Sequence, residues 1–134
     1  MTPRAERRLL QAAVLLAGIV PVSAGTAGIF LGAGLAGGGS IDLDSHVRYL
    51  SGLLLGIGLV FWGTIPRIER RAAIFQALTG IVAIGGLARL LGLFVAGVPS
   101  TPMTAALGME LAVTPLLCLW QRRIAQAVTC AARA

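Results

Sequence analysis

Gly85-Gly86-Leu87-Ala88-Arg89-Leu90-Leu91-Gly92 sets one guanidinium inside an apolar run that extends from Ala72 to Val98. At a rise of about 1.5 Å per residue, such a run is long enough to cross a hydrocarbon layer about 30 Å thick. An arginine at that depth costs about 2.5–3.5 kcal/mol on insertion scales, so it turns toward other protein and finds a partner there. The partner on offer is Glu110, the one carboxylate inside any of the apolar runs. The rest of the chain is arranged around these two charges.

Composition points the same way. Hydrophobic residues make up 57% of the 134 positions and charged residues 12%, too little charge to cover a soluble domain of this size. The expected fold is all-α: a single polytopic membrane domain over residues 1–134, a bundle of four transmembrane helices. All eleven basic residues are arginine. The net charge of +6 would suit nucleic acid, but the arginines gather at segment ends and form no stripe with aromatics, which excludes that partner. Cys118 and Cys130 have neither the spacing nor the setting for a disulfide or a metal site, and no cofactor is expected.

Taken in order, the chain opens on a short basic start with Arg4, Arg7 and Arg8 against Glu6, and its first span is expected over about 9–36. Val22-Ser23-Ala24 looks like a cleavage region, but the run stays apolar well beyond it, which favours a retained span over a removed signal. Pro21 lies inside that span. Gly25, Gly28 and Gly32 give it one smooth side for a neighbouring helix. After Gly37-Gly38-Gly39-Ser40, a short acidic connection leads to a second span over about 47–65, with Ser45 or Asp44 as its N-cap. Arg48, Gly52, Gly56 and Gly63 share a face of it, and Trp62 reads as an interfacial anchor. The third span, about 72–98, follows the basic turn around Arg67, Arg70 and Arg71. The fourth, about 103–121, carries Ala106, Glu110, Thr114 and Gln121 as a thin polar seam and is interrupted by Pro115, whose freed carbonyl needs a substitute donor.

Arginine placement gives an orientation. With both ends in the cytoplasm of a bacterial inner membrane, Arg4, Arg7, Arg8, Arg67, Arg70, Arg71, Arg122, Arg123 and Arg133 all lie inside, and the opposite loops carry Asp42 and Asp44. An even number of spans satisfies the positive-inside rule and an odd number breaks it.

Helical rise also estimates depth. Arg89 lies about 13 Å, and Glu110 about 9 Å, below the outer ends of their spans, a difference that an arginine side chain bridges. A bidentate pair is the expected geometry. Arg48 is shallow on the same outer side, with Asp44, His46 and Tyr49 at the mouth. The blander reading makes Arg89 and Glu110 a neutral clamp that sets helix register while Arg48 reaches for headgroups. The sharper one counts two arginines against one glutamate and assigns the surplus charge to an anionic lipid headgroup or small acid. His46 alone offers no metal site, and Gly56-Ile57-Gly58 lacks the context of a nucleotide fingerprint.

Asp44-Ser45-His46-Val47-Arg48-Tyr49-Leu50-Ser51-Gly52, then Gly86-Leu87-Ala88-Arg89, Gly97-Val98-Pro99, Glu110-Leu111 and Pro115-Leu116-Leu117 to Trp120-Gln121, carry a resemblance across nearly the whole chain. The sequence resembles the small bacterial four-helix membrane proteins grouped as domain of unknown function 4345. That likeness implies four helices and brings no activity, substrate or cofactor. A looser similarity to the DoxX-like group is analogy of fold alone.

No nucleophile and base stand together, so the expected function is not enzymatic. The protein is expected to be an integral membrane protein whose Arg48, Arg89 and Glu110 bind an anionic group or clamp the helices, with membrane lipids as partners. Two alternatives are an accessory subunit of a larger respiratory, photosynthetic or transport complex, joined through glycine-rich faces, and a small oligomeric transporter.

Overall fold

A computed structural model of the chain describes residues 3–131, and all the regular elements among them are helical. The first helix, α1, runs Pro3–Leu31 and tightens into a 3-10 turn over Gly32–Ala36. Helix α2 spans Ile41–Thr64 and closes in a 3-10 turn, Ile65–Arg67. Helix α3 spans Ala72–Ala96. The last run is built in three pieces: α4 over Thr101–Gly108, a π-helical turn over Met109–Val113, and α5 over Thr114–Ala131. Four stretches are long and apolar enough to cross a membrane, namely Arg4–Leu35, Ile41–Arg67, Ala72–Ala96 and Thr101–Cys130. Arg133, counted among the basic flanks, lies outside the described residues.

Helix ends follow local chemistry. The Ser40 hydroxyl accepts from the Leu43 amide at 3.1 Å, so Ser40 is the N-cap of α2 and the helix opens at Ile41, before Ser45 or Asp44 is reached. Asp42 and Asp44 then fall in its first turn, where the exposed amides of a helix N-terminus favour carboxylates. Gly37, at a φ of 87°, closes the turn after α1 in the left-handed region, and the Gly38 amide reaches back to the Ala33 carbonyl at 2.9 Å.

The chain divides into two compact units, one of them Gln11–Pro66 and the other combining the chain up to Leu10 with Arg67 onward. In the first, α1 lies against α2 along its smooth side. A Cβ at Gly25 would come within 2.7 Å of the Leu55 nitrogen and 2.8 Å of the Ser51 oxygen, and one at Gly28 would collide with the Ser51 side chain. The Trp62 ring occupies the space over Gly18 and its Nε1–H donates to the Leu15 carbonyl at 3.1 Å, which makes Trp62 a packing residue within this unit. Gln11 donates to the Ile65 carbonyl at 2.7 Å nearby. On α2 it is Gly58, against Val22 and Pro21, that lets α1 approach. Gly52 and Gly56 have no atom of their own unit within 4 Å of a modest side chain's position.

The second unit sets α3 beside the α4–α5 run. Phe75, Leu78, Cys118 and Ile124 are buried in it, together with Leu10 and Ile68. Burying each large apolar side chain contributes about 1.5–3 kcal/mol. Gln121, fully buried, donates from Nε2 to the Ile68 carbonyl at 2.7 Å, while its Oε1 meets no partner among the described residues. The polar seam read along the last span thus turns toward α3: Gln121 serves the turn before α3, and Glu110 serves α3 itself.

Candidate functional site

Arg89 and Glu110 meet in the second unit. The Arg89 Nε–H donates to Glu110 Oε2 at 3.0 Å and its Nη2 donates to Oε1 at 3.1 Å, a two-pronged fit of planar guanidinium to planar carboxylate. Gly86, one turn before Arg89, makes the approach possible. A Cβ there would lie 2.8 Å from Leu111 Cδ2 and 3.0 Å from Glu110 Cβ, so any larger residue would push the carboxylate away. Gly85, next to it, faces no atom of its own unit within 4 Å. Of the two adjacent glycines, one is used for the pair and the other is not.

The carboxylate owes its position to an irregular backbone. Pro115 has no N–H for the Leu111 carbonyl four residues back, and its ring crowds that carbonyl. The helix widens into a π turn over Met109–Val113 immediately before the proline, and Glu110 sits in that turn. Thr114 closes the turn, its amide and its hydroxyl both donating to the Met109 carbonyl, the hydroxyl at 2.9 Å. A threonine side chain therefore does serve a carbonyl near Pro115, and the one it serves is that of Met109.

The pair is joined without being sealed. Arg89 keeps 34% of its side chain exposed and Glu110 keeps 18%. The guanidinium Nη1 points to Met103 Sδ at 3.0 Å, a weak acceptor for a charged donor. Arg89 and Met103 also line a hollow of about 280 Å³ with Gly92, Leu93, Ala96 and Pro99. Beyond the two N–H groups on Glu110 and the one directed at Met103, two guanidinium N–H groups of Arg89 have no hydrogen-bond partner among the described residues.

Arg48 belongs to the other unit and is held there by other groups. Its Nε–H donates to Asp44 Oδ2 at 2.7 Å, and its Nη1 donates to the carbonyls of Ile29 and Phe30 at the end of α1. A cation suits that place, because the last carbonyls of a helix lack intrahelical donors and carry partial negative charge. The other carboxylate oxygen, Asp44 Oδ1, accepts from the Ala33 amide at 2.9 Å. Asp44 is therefore the partner of Arg48 and a fastening for the turn after α1. The count of two cations against one carboxylate changes accordingly: each arginine has a carboxylate within its own unit. Replacing Asp44 by Ala is expected to speed hydrogen exchange at the Ala33 amide, with Asp44→Asn retaining much of the protection, as measured by exchange on the purified protein.

His46 is exposed and Tyr49 is 64% exposed. No group of three His, Cys, Asp or Glu side chains that would hold a metal occurs among the described residues.

A further set of ties lies at the arginine-rich end of the second unit. Glu6 Oε1 accepts from the Trp120 Nε1–H at 3.2 Å and lies 3.9 Å from Arg123 Nε, and Arg7 Nε lies 3.2 Å from Glu69 Oε2. From the sequence, Glu6 stands only against the arginines of its own segment, and Glu69 is one acid within the basic turn around Arg67, Arg70 and Arg71. The available signal was that these are the two acids at the basic segment ends, so each has cations on neighbouring segments to serve.

A family model described as a domain of unknown function (DUF4345) matches residues 9–121, which covers most of each of the four long helices and takes in the Arg48–Asp44 and Arg89–Glu110 pairs. No curated protein and no solved structure matches the chain.

Proposed function

The chain belongs to that family, and from this premise we propose that it is a non-catalytic, multi-pass protein of the bacterial inner membrane whose Arg89–Glu110 pair holds the third and fourth spans in register. The outward side of Arg89 takes an anionic group, either a lipid headgroup or a small acid. The observation that carries this reading is the two-pronged pair seated on Gly86, with the guanidinium also forming part of the wall of the adjoining hollow. In hydrocarbon a neutralised pair is the tolerable form of these two charges, and the remaining N–H donors of Arg89 favour an acceptor that brings oxygen atoms.

Native mass spectrometry of the protein purified from its own membranes tests this. An acidic lipid or small carboxylic acid is expected on the wild type and is expected to be lost from the Arg89→Gln/Glu110→Gln double variant, which keeps the site uncharged. A wild type that carries no such molecule would refute the ligand half of the proposal and leave the clamp alone.

An accessory-subunit reading has its own support. Gly80, Gly85 and Gly92 on α3 and Gly52 and Gly56 on α2 have no atom of their own unit within 4 Å of an added Cβ, and large side chains such as Ile84, Leu87 and Leu91 are exposed. Small residues at a helix surface allow close approach by another helix. A second protein at fixed stoichiometry in the same spectra would favour this reading.

A further inference from the structure

The arginine-rich end holds a second hollow, unrelated to Arg89. It has a volume of about 370 Å³ and lies between the start of α3 and the end of α5. Glu69, Ala72 and Gln76 form one wall, and Arg122, Gln126 and Thr129 stand on the other. These positions recur at three- and four-residue spacing, so each helix presents one face to the space.

The charges around it are unevenly spent. Residues 4–8, 67–71 and 121–123 contain eight arginines, at 4, 7, 8, 67, 70, 71, 122 and 123, against two glutamates, Glu6 and Glu69, a local net of +6. Both glutamates are engaged, Glu69 with Arg7 at 3.2 Å and Glu6 with Trp120 and Arg123. Arg122 is exposed and has no carboxylate partner among the described residues. The hollow therefore has one uncompensated guanidinium on its rim, amide donors from Gln76 and Gln126, and Thr129, whose hydroxyl spends its proton on the Ala125 carbonyl at 2.9 Å. The one carboxylate in its lining is already neutralised.

We infer that this hollow seats the phosphate of an acidic phospholipid headgroup. A phosphodiester supplies acceptor oxygens to the guanidinium and the two amides, and the surrounding arginines attract its charge. Location favours a lipid over a free ion: Ala72 is the first residue of a stretch apolar enough to cross a membrane, and Arg122 to Cys130 close another, so the hollow opens where such helices leave hydrocarbon.

The test uses the full-length protein in nanodiscs of phosphatidylcholine, with or without phosphatidylglycerol, followed by transfer to detergent and lipid counting by native mass spectrometry. Phosphatidylglycerol is expected to be retained in preference to phosphatidylcholine. Arg122→Gln should lower its retention at least about tenfold, the loss of one hydrogen bond to a charged group, and Arg122→Lys should keep most of it. Arg8→Gln, at the same end but not in the lining, should change it little. Retention that is equal for the two lipids, or equally reduced by Arg8→Gln and Arg122→Gln, would overturn the site. Binding of inorganic phosphate in detergent without retention of phosphatidylglycerol would overturn the lipid assignment. The Arg89→Gln/Glu110→Gln variant should retain phosphatidylglycerol here as the wild type does, so this hollow and the Arg89 site succeed or fail separately.

Discussion

Glu110→Leu and Arg89→Leu, made singly, are each expected to destabilise the protein sharply, while the double variant recovers most of the loss. Removing one member of a buried ion pair leaves the other charge uncompensated, at a cost of about 3–5 kcal/mol. With 34% of the Arg89 side chain exposed, solvent offsets part of this, so a loss of about 2–3 kcal/mol per single change is expected in detergent. Replacing both charges by apolar groups removes the penalty and leaves only the lost hydrogen bonds and some altered packing. Thermal unfolding of the four proteins, analysed as a double-mutant cycle, reads the coupling directly. Single variants as stable as the wild type, or losses that simply add in the double variant, would refute the clamp.

The second large effect concerns α1 and α2. Gly25→Ala is expected to cost about 2–3 kcal/mol, the upper part of the range for overpacking, because the new methyl would meet the Leu55 nitrogen at 2.7 Å and the Ser51 oxygen at 2.8 Å. These are backbone atoms of a helix, and neither can rotate aside as a side chain does, so the two helices must separate. Gly52→Ala is the matched control on the facing helix, where nothing in the same unit lies within 4 Å. It is expected to be neutral, or to stabilise by up to about 1 kcal/mol through the better helix propensity of alanine. Thermal midpoints of the two variants in one detergent decide the matter. A Gly25→Ala protein that melts with Gly52→Ala would mean that α1 and α2 do not pack as closely as described.

What was legible in the sequence was whatever depends on position along a helix axis. Length and hydropathy marked four apolar stretches, and the rise per residue was enough to bring Arg89 within a side chain's reach of Glu110. Rotation about the axis was harder to read. Gly52 and Gly56 looked like a packing face of α2, but Gly58 is the residue that admits α1. Pro115 announced a disturbed ladder without revealing that a π turn would absorb it. Arg48 was read as shallow, reaching for headgroups or an anion with Asp44 at the mouth above it, although the four-residue spacing of the two was visible and favours a direct pair. Its capping of the Ile29 and Phe30 carbonyls requires knowing where α1 ends, which sequence gave only to within a few residues. The ties of Glu6 to Trp120 and Arg7 to Glu69 were hidden for another reason: many arginines compete for few acids, and local pattern does not choose among them.

The bond between Glu6 and Trp120 joins residues 114 positions apart. Glu6 leaves the ribosome well before Trp120. During synthesis Glu6 waits, in water or beside a nearby arginine, until α5 has been made. The unit that contains Glu6 and Trp120 is thus completed only after α5 has been made, whereas every residue of Gln11–Pro66 is present before α3 is synthesised.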